Sequence, residues 1–412
     1  MPSFPFRRNR TATSASPSLW LIVALATVAQ VGDGIVTQGI PVLYPFIQDE
    51  LSLTRAQVGL ITSGMMAGSM VTVFLGGWLA DVWGVKRVLV LVLIYTSVPV
   101  FLFSFIGSLW AAIAIGALIG LGTGPIYPAS SRAIMDWLPV RVRGLGMSIK
   151  QAAPTLAGAA GAVSLPLIAD TAGWPTAIMV LAGLTLLMGI VFFMFYKERP
   201  GGVNVTRRPF LSGFRDLFHD RGLIAITLWG FVIVGLQFLV LTYFILFLVE
   251  TAGFSKVTAG GYLGMALFAS TAARILWGAA SDFLLGSRRL LTLGLMSSMG
   301  VVALIGITLT GPGTPTVAIV LVSLGLGVSI LSWPGIFTVY VAELAGTERS
   351  GTSIGAINTI MRLGIVTVPP LFGLLVDITD SYSLGWGIAA GALVAATVSL
   401  LLLGKEPTRQ RD

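Results

Sequence analysis

Twelve apolar stretches, each about as long as a bilayer-crossing helix, constrain this 412-residue chain more than any other feature. They run at roughly 20–46, 56–80, 88–106, 109–134, 144–169, 174–196, 223–249, 259–281, 289–310, 315–341, 351–376 and 383–404. About 20 apolar residues suffice to cross the hydrocarbon core as a helix, which satisfies its own backbone hydrogen bonds where no water is present. The runs are too long, and alternate too little, for the strands of a barrel. Charged residues make up only 10% of the chain, where a soluble domain carries about a quarter. Mean hydropathy is +0.92. An all-α membrane protein is expected, and the 50 glycines fit it, because small residues let helices approach closely in lipid.

The positive charges set the orientation, since cytoplasmic loops hold the excess of Lys and Arg. With the N-terminus inside, the inner segments collect Arg7, Arg8, Arg10, Lys86, Arg87, Arg132, Arg141, Arg143, Lys197, Arg199, Arg207, Arg208, Arg215, Arg221, Arg288, Arg289, Arg349, Lys405, Arg409 and Arg411. The outer loops collect Arg55 and Lys256. Both termini are therefore expected in the cytoplasm, at the cell membrane. The net charge of +8 then reflects topology rather than a nucleic-acid surface. The first run is far longer than a signal-peptide core, so no processing is expected. The chain has no cysteine, which excludes disulfides and thiolate chemistry.

A polar stretch, residues 197–222, separates six spans from six, giving expected units at 1–196 and 223–412. It contains the only histidine, His219, and reads as a solvated linker with a short amphipathic helix. The halves repeat one another at an offset of about 201 to 206 residues: GWLADVWGVKR with GAASDFLLGSRR, GLGTGPIYP with GLGVSILSWP, and GMSI with GTSI. Parallel six-span repeats are one architecture of secondary transporters, with the substrate site between the halves near the midplane.

Gly77, Leu79, Ala80, Asp81, Gly84, Lys86 and Arg87 match the G-x-L-A-D-x-x-G-x-[KR]-[KR] loop of the major facilitator superfamily, which the chain resembles over nearly its whole length. The resemblance implies two pseudo-symmetric six-helix bundles. A weaker second copy comprises Gly278, Asp282, Gly286, Arg288 and Arg289. A turn between helices needs glycine, and Asp81 can meet a helix N-terminus, whose partial positive charge favours an anion. The resemblance assigns Asp81, Lys86, Arg87, Asp282, Arg288 and Arg289 to gating. Within the superfamily, Asp33-Gly34 with Pro41, the ELSLTRAQVG loop, the fourth span from Gly120 and MSIKQAAP are similar to the anion:cation symporter branch. That branch commonly has arginine where Gly34 stands and glutamate where Thr123 stands, and the superfamily's frequent fourth-span arginine is replaced by Gly116. A proton relay through those groups does not carry over.

Charges at mid-bilayer cost at least about 2.5 kcal/mol and are functional by default. Asp33, Lys150, Arg274 and Arg362 are the ones that sequence position singles out. Asp33 is near mid-depth, where loss of water favours protonation and a nearby arginine opposes it; proton coupling is its expected role, a static ion pair the alternative. Gln30 and Gln38 share its surroundings. Arg362, with Asn358 one turn earlier, offers a planar donor fork for an oxyanion, or pairs with Asp33. Arg274 is a second anion-binding candidate, or a ligand of backbone carbonyls. Lys150 either contributes to binding or snorkels to the inner surface. Tyr127 and Trp333, each just before a proline at matching repeat positions, are candidate cavity walls; Gln237, Gln151, Tyr44 and Tyr243 are weaker candidates.

GLGTG at 120–124 looks like a dinucleotide loop but lies in an apolar span with no strand before it. No catalytic pair or metal cluster can be placed, so neither enzyme activity nor a cofactor is expected. Three cations against one carboxylate favour an anionic substrate. The expectation is proton-coupled symport of a small, carboxylate-type organic anion by alternating access, in a protein for which a monomer suffices. A drug:proton antiporter, given the partial G-P-x-x-G-G match at 153–158, and an inorganic-anion transporter of the nitrate type stay open.

Overall fold

The computed structural model describes residues 19–198, 220–345 and 350–406. Arg7, Arg8, Arg10, Arg199, Arg207, Arg208, Arg215, His219, Arg349, Arg409 and Arg411 lie outside the described residues, with most of the linker; so does the side chain of Arg141.

Helices form where hydropathy places them. Span one is Leu19–Thr37 prolonged by Gly39–Val42, and Tyr44–Leu51 follows it as a separate short helix with Pro45 in its first turn. Spans two, three, five and six are Arg55–Trp83, Val85–Phe103, Val140–Ala172 and Trp174–Phe195. Span four is Leu109–Thr123 and Ile126–Trp137, interrupted at Gly124 and Pro125. Spans seven, eight and nine are Arg221–Glu250, Lys256–Ala279 and Arg289–Thr308, with a π-turn, Ala280–Leu284, ending the eighth. Spans eleven and twelve are Ser350–Thr379 and Tyr382–Leu403.

The tenth run departs from the single helix expected. It is two short helices, Thr316–Val328 and Pro334–Ala345, because proline has no N–H for the helix ladder and its ring clashes with the preceding turn. Among the described residues, eleven helical segments are long and apolar enough to cross a membrane, with span four counted through its interruption; the broken pair stands at the tenth place.

Caps and turns fix the helix ends. Thr54 and Gln57 form a reciprocal capping box at the start of span two, and Ser108, Ser255 and Ser381 cap spans four, eight and twelve. Gly84, at φ +87°, turns the chain between spans two and three, a conformation that costs residues with a Cβ. The GLGTG segment is a packing surface rather than a phosphate loop: a Cβ on Gly120 would overlap the Met65 carbonyl of span two.

Spans two and eleven pack together, as do five and eight, and these pairs join the first six spans to the last six. Because successive spans alternate direction, Lys86, Arg87, Arg288 and Arg289 share one basic face. The opposite face is closed by bonds between and within the two sets of spans. Arg55 pairs with Glu250 at 2.8 Å. Tyr243 Oη lies 2.7 Å from the Arg55 carbonyl and 2.8 Å from that of Pro369. Thr62 bonds Tyr44 at 3.0 Å and Thr242 at 3.2 Å, and Ser63 donates to the Val366 carbonyl at 2.6 Å.

Candidate substrate cavity

A cavity of about 560 Å³ lies between the two sets of spans, within the roughly 300–1,000 Å³ of small-molecule sites. Its exposed lining, including Tyr127, Thr338 and Asn358, is nearer the basic face. Towards the opposite face Tyr44, Thr62, Val240 and Tyr243 are buried. The cavity is thus closed on the side of Arg55.

Asp33 of span one and Arg362 of span eleven line it together. Arg362 Nη1 donates to Ser69 Oγ of span two at 2.9 Å. Asn358, Tyr127 and Trp333 line the same space, as does Gln151, whose amide donates to the Tyr127 hydroxyl at 3.0 Å.

Three expected binding residues stand behind the lining instead. Lys150 is fully buried and does not snorkel: its ammonium donates to Ser131 Oγ at 2.5 Å and to Ser130 Oγ and the Tyr127 carbonyl at 3.3 Å. It also sits 4.1 Å from the Tyr127 ring centroid, a cation–π contact. The ammonium is therefore occupied by span four. Arg274 donates to the carbonyls of Gln151 and Leu331, each at 3.1 Å, and so tethers span five to the break in span ten. Gln237 accepts the Trp333 indole N–H at 2.7 Å and fixes that ring from outside the cavity. Tyr44 and Tyr243 belong to the closed face, and Gln30 is buried and outside the cavity lining.

The loops after spans two and eight form two matching sets of ions. In the first, Asp81 meets Arg132 at 3.2 Å, and Arg132 meets Asp136 at 2.8 Å. At the N-terminus of span three stands Glu198, which accepts from the backbone N–H of Val85 at 3.0 Å and Lys86 at 2.8 Å. In the second, Arg289 bridges Asp282 at 2.5 Å and Glu343 at 3.4 Å, and Glu406 accepts from the N–H of Leu291 at 3.2 Å. Each of these bonds stays within one set of six spans. Arg87 and Arg288 are exposed beside them, and Lys86 Nζ lies 5.1 Å from the Phe193 ring.

Sequence reasoning missed Ser69 and the apolar lining of Val234, Phe238, Phe337, Met361 and Ile365. The signal was helical spacing: 234 with 238, 333 with 337, and 358, 361, 362 with 365 each mark one face. Such stripes look like ordinary core until a partner helix is known.

Residues 23–369 match the family described as Major Facilitator Superfamily. The chain is 28% identical to the probable sulfoacetate transporter SauU of Cupriavidus necator, over 88% of this chain and 89% of that one. It is 24% identical to the probable galactarate/D-glucarate transporter GudP of Bacillus subtilis, covering 87% and 85% respectively. Its fold is similar to the crystal structure of a bacterial homolog of the human lysosomal transporter Spinster in an inward-facing, unoccupied conformation. The TM-score is 0.75 with 14% identity, over 95% of this chain and 96% of the other.

Proposed function

The chain belongs to the Major Facilitator Superfamily, and from that premise we propose that this multi-pass membrane transporter carries a small organic anion together with a proton. The observation that carries the reading is the presence of Asp33 and Arg362 on one cavity between the two sets of spans. Arg362 offers a charged, planar fork for a carboxylate or sulfonate. While the fork is free its charge favours ionised Asp33; an anion that engages it weakens that hold and favours protonation. Anion and proton then load together, one for one for a monoanion. The anionic substrates in the relatives' names support the same class.

Movement follows from the division into two units, 1–196 and 223–412, that rock about the cavity. The closed Arg55 face corresponds to an inward-open state, with the basic face and both termini in the cytoplasm of a cell whose plasma membrane holds the protein. Asp81, Asp282 and the cations beside them brace each half on the inner side.

The test is anion uptake into proteoliposomes under an imposed inward proton gradient. Uptake lost in Arg362→Ala, and gradient-driven accumulation lost in Asp33→Asn while exchange persists, is the expected result. Binding of cationic drugs indifferent to Arg362→Ala would replace the reading with drug:proton antiport.

A further inference from the structure

The lining of the cavity constrains the anion further. Among the described residues that line it, Arg362 is the one cation and Asp33 the one carboxylate. Lys150 and Arg274, which could have served a second acid group, are committed to protein oxygens. A dianion would therefore leave one charge without a partner and near Asp33, and an unpaired or like-charged contact in a water-poor site is strongly disfavoured.

Hydroxyl-rich substrates are poorly served as well. Thr37 donates to the Asp33 carbonyl at 2.9 Å, Thr123 to the Gly120 carbonyl at 3.2 Å, and Thr338 to the Pro334 carbonyl at 2.8 Å. Ser69 accepts from Arg362. The hydroxyl hydrogens of these three threonines are thus spent on backbone carbonyls.

Apart from the amides of Gln151 and Asn358, the Tyr127 hydroxyl and Thr359, one wall of the cavity is carbon. Phe238 of span seven stands with Trp333 and Phe337 of span ten, whose rings meet edge to face at 5.1 Å. Trp229 backs both rings at 6.3 and 6.2 Å. Both indole N–H groups are already engaged, Trp333 with Gln237 and Trp229 with Ser297 at 2.9 Å. The cluster consequently presents apolar surface, suited to an apolar or aromatic body.

Resting on the anion-transport reading above, we propose that the substrate is a monocarboxylate with an aromatic or branched aliphatic body, and that small or hydroxylated dianions are discriminated against. The site would differ in this from those implied by the names of its sulfoacetate and galactarate/D-glucarate relatives.

The experiment compares uptake of labelled phenylacetate, D-glucarate and sulfoacetate by the full chain in proteoliposomes. It uses the wild type, Arg362→Ala, Phe238→Ala and Trp333→Leu, with thermal stability of each variant as the folding control. Phenylacetate should be preferred at least about tenfold over both dianions, and Phe238→Ala should erode that preference about tenfold, the scale of one lost aromatic contact. Trp333→Leu, which keeps apolar bulk and removes the ring, reports the same preference should Phe238→Ala fail to fold. Preferred, Arg362-dependent uptake of D-glucarate or sulfoacetate would overturn the inference and leave the anion-transport reading standing. A preference unchanged in both ring variants would overturn the aromatic assignment. Uptake of phenylacetate indifferent to Arg362→Ala would remove Arg362 as the anion site, and no uptake of any of the three would remove the substrate class; either outcome overturns the inference.

Discussion

Asp377 caps span two from span eleven: its carboxylate accepts the backbone N–H of Arg55 at 3.0 Å and that of Ala56 at 2.8 Å. One side chain from the last six spans thus satisfies helix-end donors in the first six, where the partial positive charge of a helix N-terminus favours an anion. Arg55 adds its side chain to Glu250 and lies 3.5 Å from Asp380. In the alternating-access reading proposed above, this contact is a latch that stabilises only the state in which that face is shut.

Asp377→Ala should therefore open that face. Losing charge-assisted bonds at a partly exposed site is worth roughly 1–2 kcal/mol, or about a tenfold shift in the ratio of states. The chain has no cysteine, so a single Met66→Cys in the cavity lining reports access cleanly. Faster labelling by an impermeant thiol reagent from the Arg55 side is expected in Asp377→Ala, and an unchanged rate would dismiss the latch.

The turn at Gly84 gives a second prediction. Its φ of +87° is left-handed, and an added Cβ would come within 2.9 Å of the Glu198 carboxylate that caps span three. Gly84→Ala should lower thermal stability by about 1–2 kcal/mol through backbone strain. Glu198→Gln should cost less, about 1 kcal/mol or under, because an amide oxygen still accepts but carries no charge. Reversal of that order in detergent melting curves would count against the cap as described.

Arg362 and Arg274 should fail differently when replaced by lysine, which keeps the charge and loses the fork. For Arg362→Lys the expected outcome is weaker anion binding, about tenfold in half-saturating concentration, with little change in melting temperature. For Arg274→Lys the loss should fall on stability, because one ammonium on a shorter reach cannot hold the Gln151 and Leu331 carbonyls as the two guanidinium N–H groups do. Equal effects of both variants on binding would put Arg274 in the cavity after all.

Gly120 tests the packing of spans two and four. An added methyl meets the Met65 carbonyl closer than atoms tolerate, and the Ser69 backbone nitrogen at 2.7 Å, so the helices must separate. Gly120→Ala should cost on the order of 1–3 kcal/mol. Separation there also displaces Ser69, the partner of Arg362, so anion affinity should fall with stability in equilibrium binding. A stable variant with intact binding would contradict the close contact.

The sequence by itself determined the number and order of the spans, the internal repeat, and the depth of Asp33 and Arg362. Run length and the cost of charge in lipid are properties of position along the chain, which makes depth readable without any partner. It did not determine direction. Lys150, Arg274 and Arg362 had equal standing as cations in apolar spans, yet only Arg362 faces the cavity; Lys150 turns to Ser131 and Arg274 to the carbonyls of Gln151 and Leu331. Those partners lie on other spans, and so do the latch between Asp377 and Arg55 and the rings behind Trp333. Tertiary structure decided them because hydropathy reports depth in the bilayer, whereas the neighbour a side chain meets is set by how helices far apart in sequence pack side by side.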